Sequence, residues 1–324
     1  MPTDINLSSR PMSREERRKL AQKTINTVIP KLLTSDTKAR NGMNRAHLIS
    51  NPLEAKSHHI NSKRKIPAGK VASDEKTLAS SVAPQNTGVL RDAILNITIR
   101  IADTLVAARD LTSDPVRQNR RINVAVLNMA SPLRPGGGFL SGASSQEESL
   151  CSRTTLLPSL KESWYRLPEY GGIWSPDVHV FKIALDEDLA KQDRFYVDVI
   201  SAAMIRFPEV TERGDQKDYA YEKDREAAGK KIKSVLSILE SKGTEIVILG
   251  AWGCGAYGNP VGEIARIWRR ALLSEGGKRS KNNDNAGGSF GLDKNTLKRV
   301  VFAINDRNMA QDFSLASGFA IETV

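Results

Sequence analysis

The sequence predicts an α/β protein, a three-layer α/β/α sandwich around a mixed sheet. Two short runs, Ile122–Leu127 and Glu245–Leu249, are almost continuously apolar, the pattern of strands covered on both faces. Segments with helical spacing alternate with such runs along the chain, which favours helices packed on both sides of a sheet. Both apolar runs are followed closely by a glycine-rich loop, Pro135–Gly142 and Gly250–Asn259. Ligand loops of such sheets lie beyond the carboxyl ends of strands, so the two loops are expected to share one site.

The elements follow in order. Ser13-Arg-Glu-Glu16 is a capping-box pattern that opens a helix to about Ile29, with Leu20, Ile25, Val28 and Ile29 on its apolar face. Pro30 is expected to limit that helix. From Thr34 to Gln85 periodicity disappears and Asn, Ser, Lys, Gly and Pro accumulate, which reads as a partly disordered loop. Ile94–Arg100 reads as a strand, Ala102–Leu111 as a helix, and Ile122–Leu127 as a buried strand. Val178–Ile183 and Phe195–Ser201 are further strands. Tyr219–Lys242 has helical spacing and ends at Gly243. Then come the strand Glu245–Leu249, the helix Val261–Leu273 and the strand Arg299–Ile304. Ser274–Leu292, rich in Gly, Asn, Ser and Lys, reads as a surface insertion.

Composition narrows the class. No apolar run approaches the roughly 18 residues of a membrane-spanning helix, and Met1–Arg10 is polar. Two cysteines and four scattered histidines show no zinc-ligand spacing, so no metal is expected, and a reducing, intracellular setting fits. The net charge of +11 is uneven: residues 1–92 hold 17 Lys and Arg against 8 Asp and Glu. A basic N-terminal segment of this kind can make a weak contact with a polyanion, or simply be a solvated helix and linker.

The chemistry lies between Val124 and Thr155. Gly136-Gly137-Gly138 removes three side chains, so backbone amides can approach an anion and positive φ is allowed. The loop is neither a Walker loop nor a Rossmann fingerprint, because neither spacing is present. Gln146-Glu147-Glu148 follows closely. Adjacent carboxylates in extended backbone point to opposite sides, so two separate roles are expected, and in a confined space one pKa must rise. An exposed acidic pair at a helix start is the plainer reading of the same residues. In the second loop, Tyr257 can stack on a ribose or base, and the helix from Val261 offers amides. Trp252 reads as a core anchor. Cys254 and Cys151 read as packing residues, since no histidine is near either in sequence.

Pro-Gly-Gly-Gly-Phe-Leu-x-Gly-Ala-x-x-Gln-Glu-Glu-x-Leu-Cys at 135–151 resembles the signature of microbial-type poly(ADP-ribose) glycohydrolases. Gly-Ala-Trp-Gly-Cys-Gly-Ala-Tyr-Gly-Asn-Pro at 250–260 is similar to their second loop. Ile173–Phe181, Asp198–Ala203, Val301–Ile304 and the helix from Arg14 to Ile29 also resemble the family, whereas Thr34–Gln85 and Ser274–Leu297 match poorly. The resemblance implies a macrodomain-like fold with an N-terminal helical extension over residues 1–90. A catalytic domain over residues 91–324 would carry an insertion at about 274–297.

It further implies that Glu148 is the general acid and base, protonating the departing ribosyl oxygen and then activating water. Glu147 would orient the sugar hydroxyls and Gln146 would shape the loop. Gly136, Gly137 and Gly138, with Phe139 beside them, and Gly253, Cys254, Gly255, Ala256 and Tyr257 would clasp the diphosphate. Asn128 and Ser131 would offer ribose contacts. The expected partner is poly(ADP-ribose) or an ADP-ribosylated macromolecule, met by a monomer without cofactor, in reversal of ADP-ribosylation such as follows DNA damage. Two departures stand out: Tyr257 replaces the family's usual Phe, and Leu150-Cys-Ser-Arg-Thr-Thr155 displaces Arg153 by one position, so Arg153 is given no role. Two other readings share these residues, namely removal of single ADP-ribose groups from protein or nucleic acid, and binding of ADP-ribose without turnover.

Overall fold

The computed structural model describes residues 11–53, 95–112, 124–214, 216–273 and 296–322. An eight-stranded sheet has the order β1-β4-β5-β3-β8-β9-β2-β10. The strands are β1 (His47–Ser50), β2 (Asn96–Arg100), β3 (Val124–Met129), β4 (Gly171–Val180), β5 (Phe195–Ala202), β8 (Ile246–Leu249), β9 (Arg299–Ala303) and β10 (Ala320–Ile321). β4 runs antiparallel to both its neighbours, and every other pairing is parallel. A separate hairpin joins β6 (Val210–Arg213) to β7 (Gln216–Tyr219).

Two hydrophobic clusters, one on each face, make the sandwich. One gathers Ile232, Val235, Leu236 and Leu239 of α6 (Glu222–Ser241), Ile264 and Trp268 of α7 (Val261–Leu273) and Phe313 of α8 (Arg307–Ser317) against Leu127, Leu249 and Phe302 of the sheet. The other gathers Leu105 and Leu111 of α4 (Thr104–Thr112) and Leu150 of α5 (Gln146–Arg153) against Val126, Ile248 and Val301. Alternate residues of β3, β8 and β9 thus serve opposite clusters, which explains their uninterrupted apolar sequences.

The N-terminal region departs from the expectation in two ways. The helix opened by Ser13, whose side chain accepts from the Glu16 amide at 3.2 Å, does not stop at Pro30. α1 (Arg14–Lys23) passes through a π-turn over Thr24–Val28 into α2 (Ile29–Ser35), where Pro30 sits in the first turn. Proline lacks the amide that would close an ordinary helical bond, and the wider turn just before it absorbs that loss. The loop expected from Thr34 is instead α3 (Thr37–Arg45), capped by Asp36, followed by β1, which pairs with β4 inside the main sheet. The basic loop beyond residue 53, the boundary near residue 90 and most of the 274–297 insertion lie outside the described residues.

β4 begins at Gly171, well before the expected Val178. A bulge between Ser175 and Val178 takes up Pro176 and Asp177, which otherwise read as a strand stop. The helix expected from Tyr219 begins at Glu222, because Tyr219 belongs to β7.

Candidate active site

One cavity of about 640 Å³ lies at the carboxyl ends of the parallel strands. The loop after β3, the first turn of α5, the turn after β5, the loop after β8 and the segment after β9 all contribute to its wall. Gly137, Gly138, Ser131, Gln146, Glu147 and Glu148 face it from one side, and Gly253, Gly255, Ala256 and Tyr257 from the other. The two glycine loops, far apart in sequence, therefore share a single site.

The acidic pair opens a helix rather than lying in extended backbone: Ser145 is the N-cap of α5 and Glu147 and Glu148 fall in its first turn. Yet the pair is not exposed, with Glu147 3% and Glu148 7% accessible. Both carboxylates turn back onto the β3 loop. Glu147 Oε2 accepts from the Ser131 amide at 2.7 Å, and its Oε1 accepts weakly from Asn128 Nδ2 at 3.4 Å. Glu148 Oε1 accepts from the Gly138 amide at 2.7 Å. Its Oε2 is buried and has no hydrogen-bond partner among the described residues. Gln146 ties the turn to the strand: its Nε2 donates to Leu127 O at 2.8 Å and its Oε1 accepts from the Met129 amide at 2.9 Å.

Gly137 explains why the loop needs glycine. Its φ is +55°, and a Cβ there would stand 2.8 Å from Glu147 Oε2 and 2.8 Å from Glu148 Oε1. Behind the loop, Arg14 Nε donates to Ser141 O at 2.9 Å and Arg17 Nε to Gly142 O at 2.8 Å, so α1 braces the loop from outside.

The division of labour between the loops differs from the expectation. The Gly138 amide is held by Glu148, and the Gly137 amide donates to Arg134 O at 3.3 Å. The first loop thus directs its backbone donors mainly inward, to carboxylates and its own turn. In the second loop the amides of Gly255, Ala256 and Tyr257, like that of Gly253, have no acceptor among the described residues, and they are donors open to an anion. The Cys254 amide is already bonded to Ala251 O at 3.0 Å. Four expected contacts stand behind the wall and do not line the cavity. Asn128 is fully buried and bridges Glu147 to Ser201 Oγ at 3.0 Å; Phe139 joins the apolar cluster against α5; a Cβ on Gly136 would meet Leu157 and Cys151; Cys254 is buried under its loop.

Burial sets the electrostatics. It pushes the Glu147 carboxyl up to about 8, with the Glu148 charge adding to the rise and the Ser131 amide and Asn128 opposing it. Burial likewise raises the thiols of Cys151, next to both glutamates, and Cys254, so neither is a ready nucleophile. Burial raises the Tyr257 phenol, while the Arg206 guanidinium and the Ser131 side chain pull it down. Ser131 therefore lies close to the hydroxyl by which Tyr257 differs from Phe.

The raised Glu147 has a consequence for stability. The folded chain keeps a proton that an ordinary glutamate loses near 4.5. The stabilisation from this group is complete below about 4.5 and is lost as pH rises through about 8. Between those limits the wild type is expected to lose on the order of 1 kcal/mol per pH unit through this group. Glu147→Gln is expected to flatten that slope in a series of melting temperatures from pH 5 to 9, whereas parallel curves for the two proteins would contradict it.

Residues the sequence reading passed over also hold the site. Arg153 is buried and grips Asp103 with two bonds of 2.9 and 2.8 Å, and it donates to Ile183 O at 2.7 Å. It locks the end of α5 to the segment after β2. Arg153→Ala is expected to cost about 3 kcal/mol, read as a lower urea midpoint; an unchanged midpoint would mean the pair holds nothing. Asn259 staples the second loop, donating to Ile205 O at 2.8 Å and Gly253 O at 3.0 Å and accepting from Tyr219 Oη at 2.7 Å. Arg206 and Arg134 line the cavity and were not singled out; single arginines within turns carry no spacing signal.

A buried carboxylate pair facing a backbone anion cradle, at the strand ends of a mixed-sheet sandwich, defines the class of site that can hold a phosphorylated sugar beside an acid. In sequence, residues 49–183 match the family model of the microbial-type PARG catalytic domain, where PARG denotes poly(ADP-ribose) glycohydrolase. That stretch runs from β1 past β4 and includes the first glycine loop and the acidic helix, but not the second loop. In fold, the chain is similar to PARG from Thermomonospora curvata, with TM-score 0.64 and 24% identity over 93% of this chain and 99% of that one. It is similar to the same protein bound to the inhibitor ADP-HPD, with TM-score 0.62 and 22% identity over 94% and 98%. It is also similar to PARG from Deinococcus radiodurans in complex with ADP-ribose, with TM-score 0.56 and 20% identity over 86% and 96%. No curated protein matches the chain. The chain therefore resembles microbial-type PARGs in the sequence of this segment and in its macrodomain-like fold.

Proposed function

We propose that this chain is a poly(ADP-ribose) glycohydrolase that cuts ribose–ribose O-glycosidic bonds and releases ADP-ribose. The observation that carries the reading is the unpartnered, buried Glu148 Oε2 in the same cavity as the open amides of Gly255, Ala256 and Tyr257. The second loop holds the diphosphate, and Tyr257 lies along the ribose nearest the acid. Glu148 Oε1 stays on the Gly138 amide, so the side chain keeps one orientation while Oε2 delivers a proton to the departing oxygen. The same oxygen then takes a proton from the attacking water.

Glu147, fastened to Ser131 and Asn128, faces the sugar hydroxyls and does not move during the reaction. Its raised pKa means that the pair carries less than two full negative charges at neutral pH, which leaves a proton available beside the bond to be broken. One carboxyl acting as acid and then base departs from the two opposed carboxyls of most glycosidases. Of the pair's four oxygens, Glu148 Oε2 is the one left buried without a hydrogen-bond partner among the described residues, which supports giving it both steps. The family match over 49–183 supports this reading, as do the relatives solved with ADP-ribose and with ADP-HPD.

The test is incubation of the purified protein with poly(ADP-ribose), with ADP-ribose release followed by chromatography. Release of ADP-ribose is the expected result. Tight binding of ADP-ribose with no release from polymer would instead make the protein a reader of the modification.

A further inference from the structure

The turn after β5 carries a feature that the fold does not explain. Phe207 is 67% exposed and belongs to neither core cluster, yet it holds φ of +52°, a backbone conformation that bulky residues rarely adopt. Strain of this kind persists only where the surroundings enforce it, and it gathers at functional sites. Here the Phe207 amide donates to Tyr257 O at 3.0 Å, fixing the ring beside the second loop. The two rings meet edge to face, with centroids 6.0 Å apart and planes at 62°. The Arg206 guanidinium stands 5.4 Å from the Phe207 centroid and 5.7 Å from that of Tyr257. Arg206 and Arg134 both line the cavity, and neither has a carboxylate partner among the described residues.

An exposed aromatic ring beside one unneutralised guanidinium group, with a second lining the same cavity, suits a nucleotide: the base stacks on the ring and the phosphates meet the cations. The rim also has a defined position. Tyr257 interacts with Ser131, whose amide holds Glu147, so the rim adjoins the acidic pair. On the glycohydrolase reading, the group released at Glu148 is set against that rim. In a polymer this group is another ADP-ribose unit, which carries both an adenine and a diphosphate. A peptide side chain offers neither.

We infer that Phe207, with Arg206 and Arg134, forms a second nucleotide subsite for the adjoining ADP-ribose unit, and that it selects polymer over single ADP-ribose groups. The inference rests on the glycohydrolase reading of the cavity and adds the substrate's second unit to it.

The experiment compares wild type, Phe207→Ala, Phe207→Leu and Phe207→Trp in two measurements: steady-state kinetics on poly(ADP-ribose) and calorimetric Kd for ADP-ribose. Alanine and leucine are expected to lower kcat/KM on polymer about tenfold, through KM, because the lost interaction is one base stacked on an aromatic ring. Tryptophan is expected to restore it, and the Kd for ADP-ribose is expected to stay at the wild-type value in all four. Leucine keeps an apolar side chain in the turn, so a loss shared by both variants at unchanged ADP-ribose affinity is not unfolding. Unchanged polymer kinetics in both variants, or an equal loss in ADP-ribose affinity, overturns the subsite. A wild type that neither binds ADP-ribose nor cuts polymer overturns the glycohydrolase reading itself, and the subsite with it.

Discussion

Glu148→Gln is expected to slow ADP-ribose release from poly(ADP-ribose) by about 10²–10⁴-fold, the range typical of a lost general acid or base. The amide oxygen of glutamine can still accept from the Gly138 amide, so the loop keeps its shape. ADP-ribose affinity and melting temperature are therefore expected to remain at wild-type values, and the loss should fall in kcat rather than KM. Single-turnover assays beside calorimetric titrations check this directly. A variant that retains full activity would remove Glu148 from the chemistry and pass its role to Glu147, the member of the pair whose proton is held up to about 8.

Gly137→Ala is expected to have an effect of similar size for a different reason. The new methyl group would stand 2.8 Å from an oxygen of each glutamate, on backbone with φ of +55°. Neither carboxylate can retreat freely, since Glu147 is pinned by Ser131 and Glu148 by Gly138. The loop must shift, and a displacement of about 1 Å at a catalytic group can cost about 10² in rate. The positive φ adds a stability penalty of about 1 kcal/mol for a residue with a Cβ. The prediction is a loss of about 10² in kcat with a modest fall in melting temperature. A Gly255→Ala control, where a Cβ meets open space, is expected to leave the melting temperature unchanged. Equal activity in Gly137→Ala and wild type would show that the close approach of loop and carboxylates has no bearing on the reaction.

The strands that carry the site were legible because burial on two faces leaves a local mark. Val124–Leu127, Ile246–Leu249 and Val300–Phe302 are apolar at every position, and no other context demands that. β4 was legible only at its end, from Val178 to Val180. Its opening Gly171-Gly172 pair and Pro176 are ordinary turn signals, and only the pairing with β1 and β5 makes them strand. β1 itself is four residues long and lies at the sheet edge, too short for a period to register. The helix Arg307–Ser317 went unread for a related reason, since its buried side is confined to Ala310, Phe313 and Ser317.

At the site, residue types were legible and directions were not. The Gln-Glu-Glu triplet and both glycine loops stand out in the chain, yet the sequence does not say that the triplet begins a helix. Nor does it reveal that the helix's first turn folds back to take the Ser131 and Gly138 amides. That fold-back explains why the Ser131 and Gly138 amides are occupied. Arg206 and Phe207 left no signal at all. Arg-Phe-Pro reads as a surface turn, and its meaning comes from the position of Tyr257, 50 residues further along the chain.

A crystal structure of Glu148→Gln with ADP-ribose tests the central claim most directly. The diphosphate is expected on the amides of Gly255, Ala256 and Tyr257, with the terminal ribose against residue 148 and its hydroxyls facing Glu147. ADP-ribose bound elsewhere, or bound with its terminal ribose turned away from residue 148, would contradict the account.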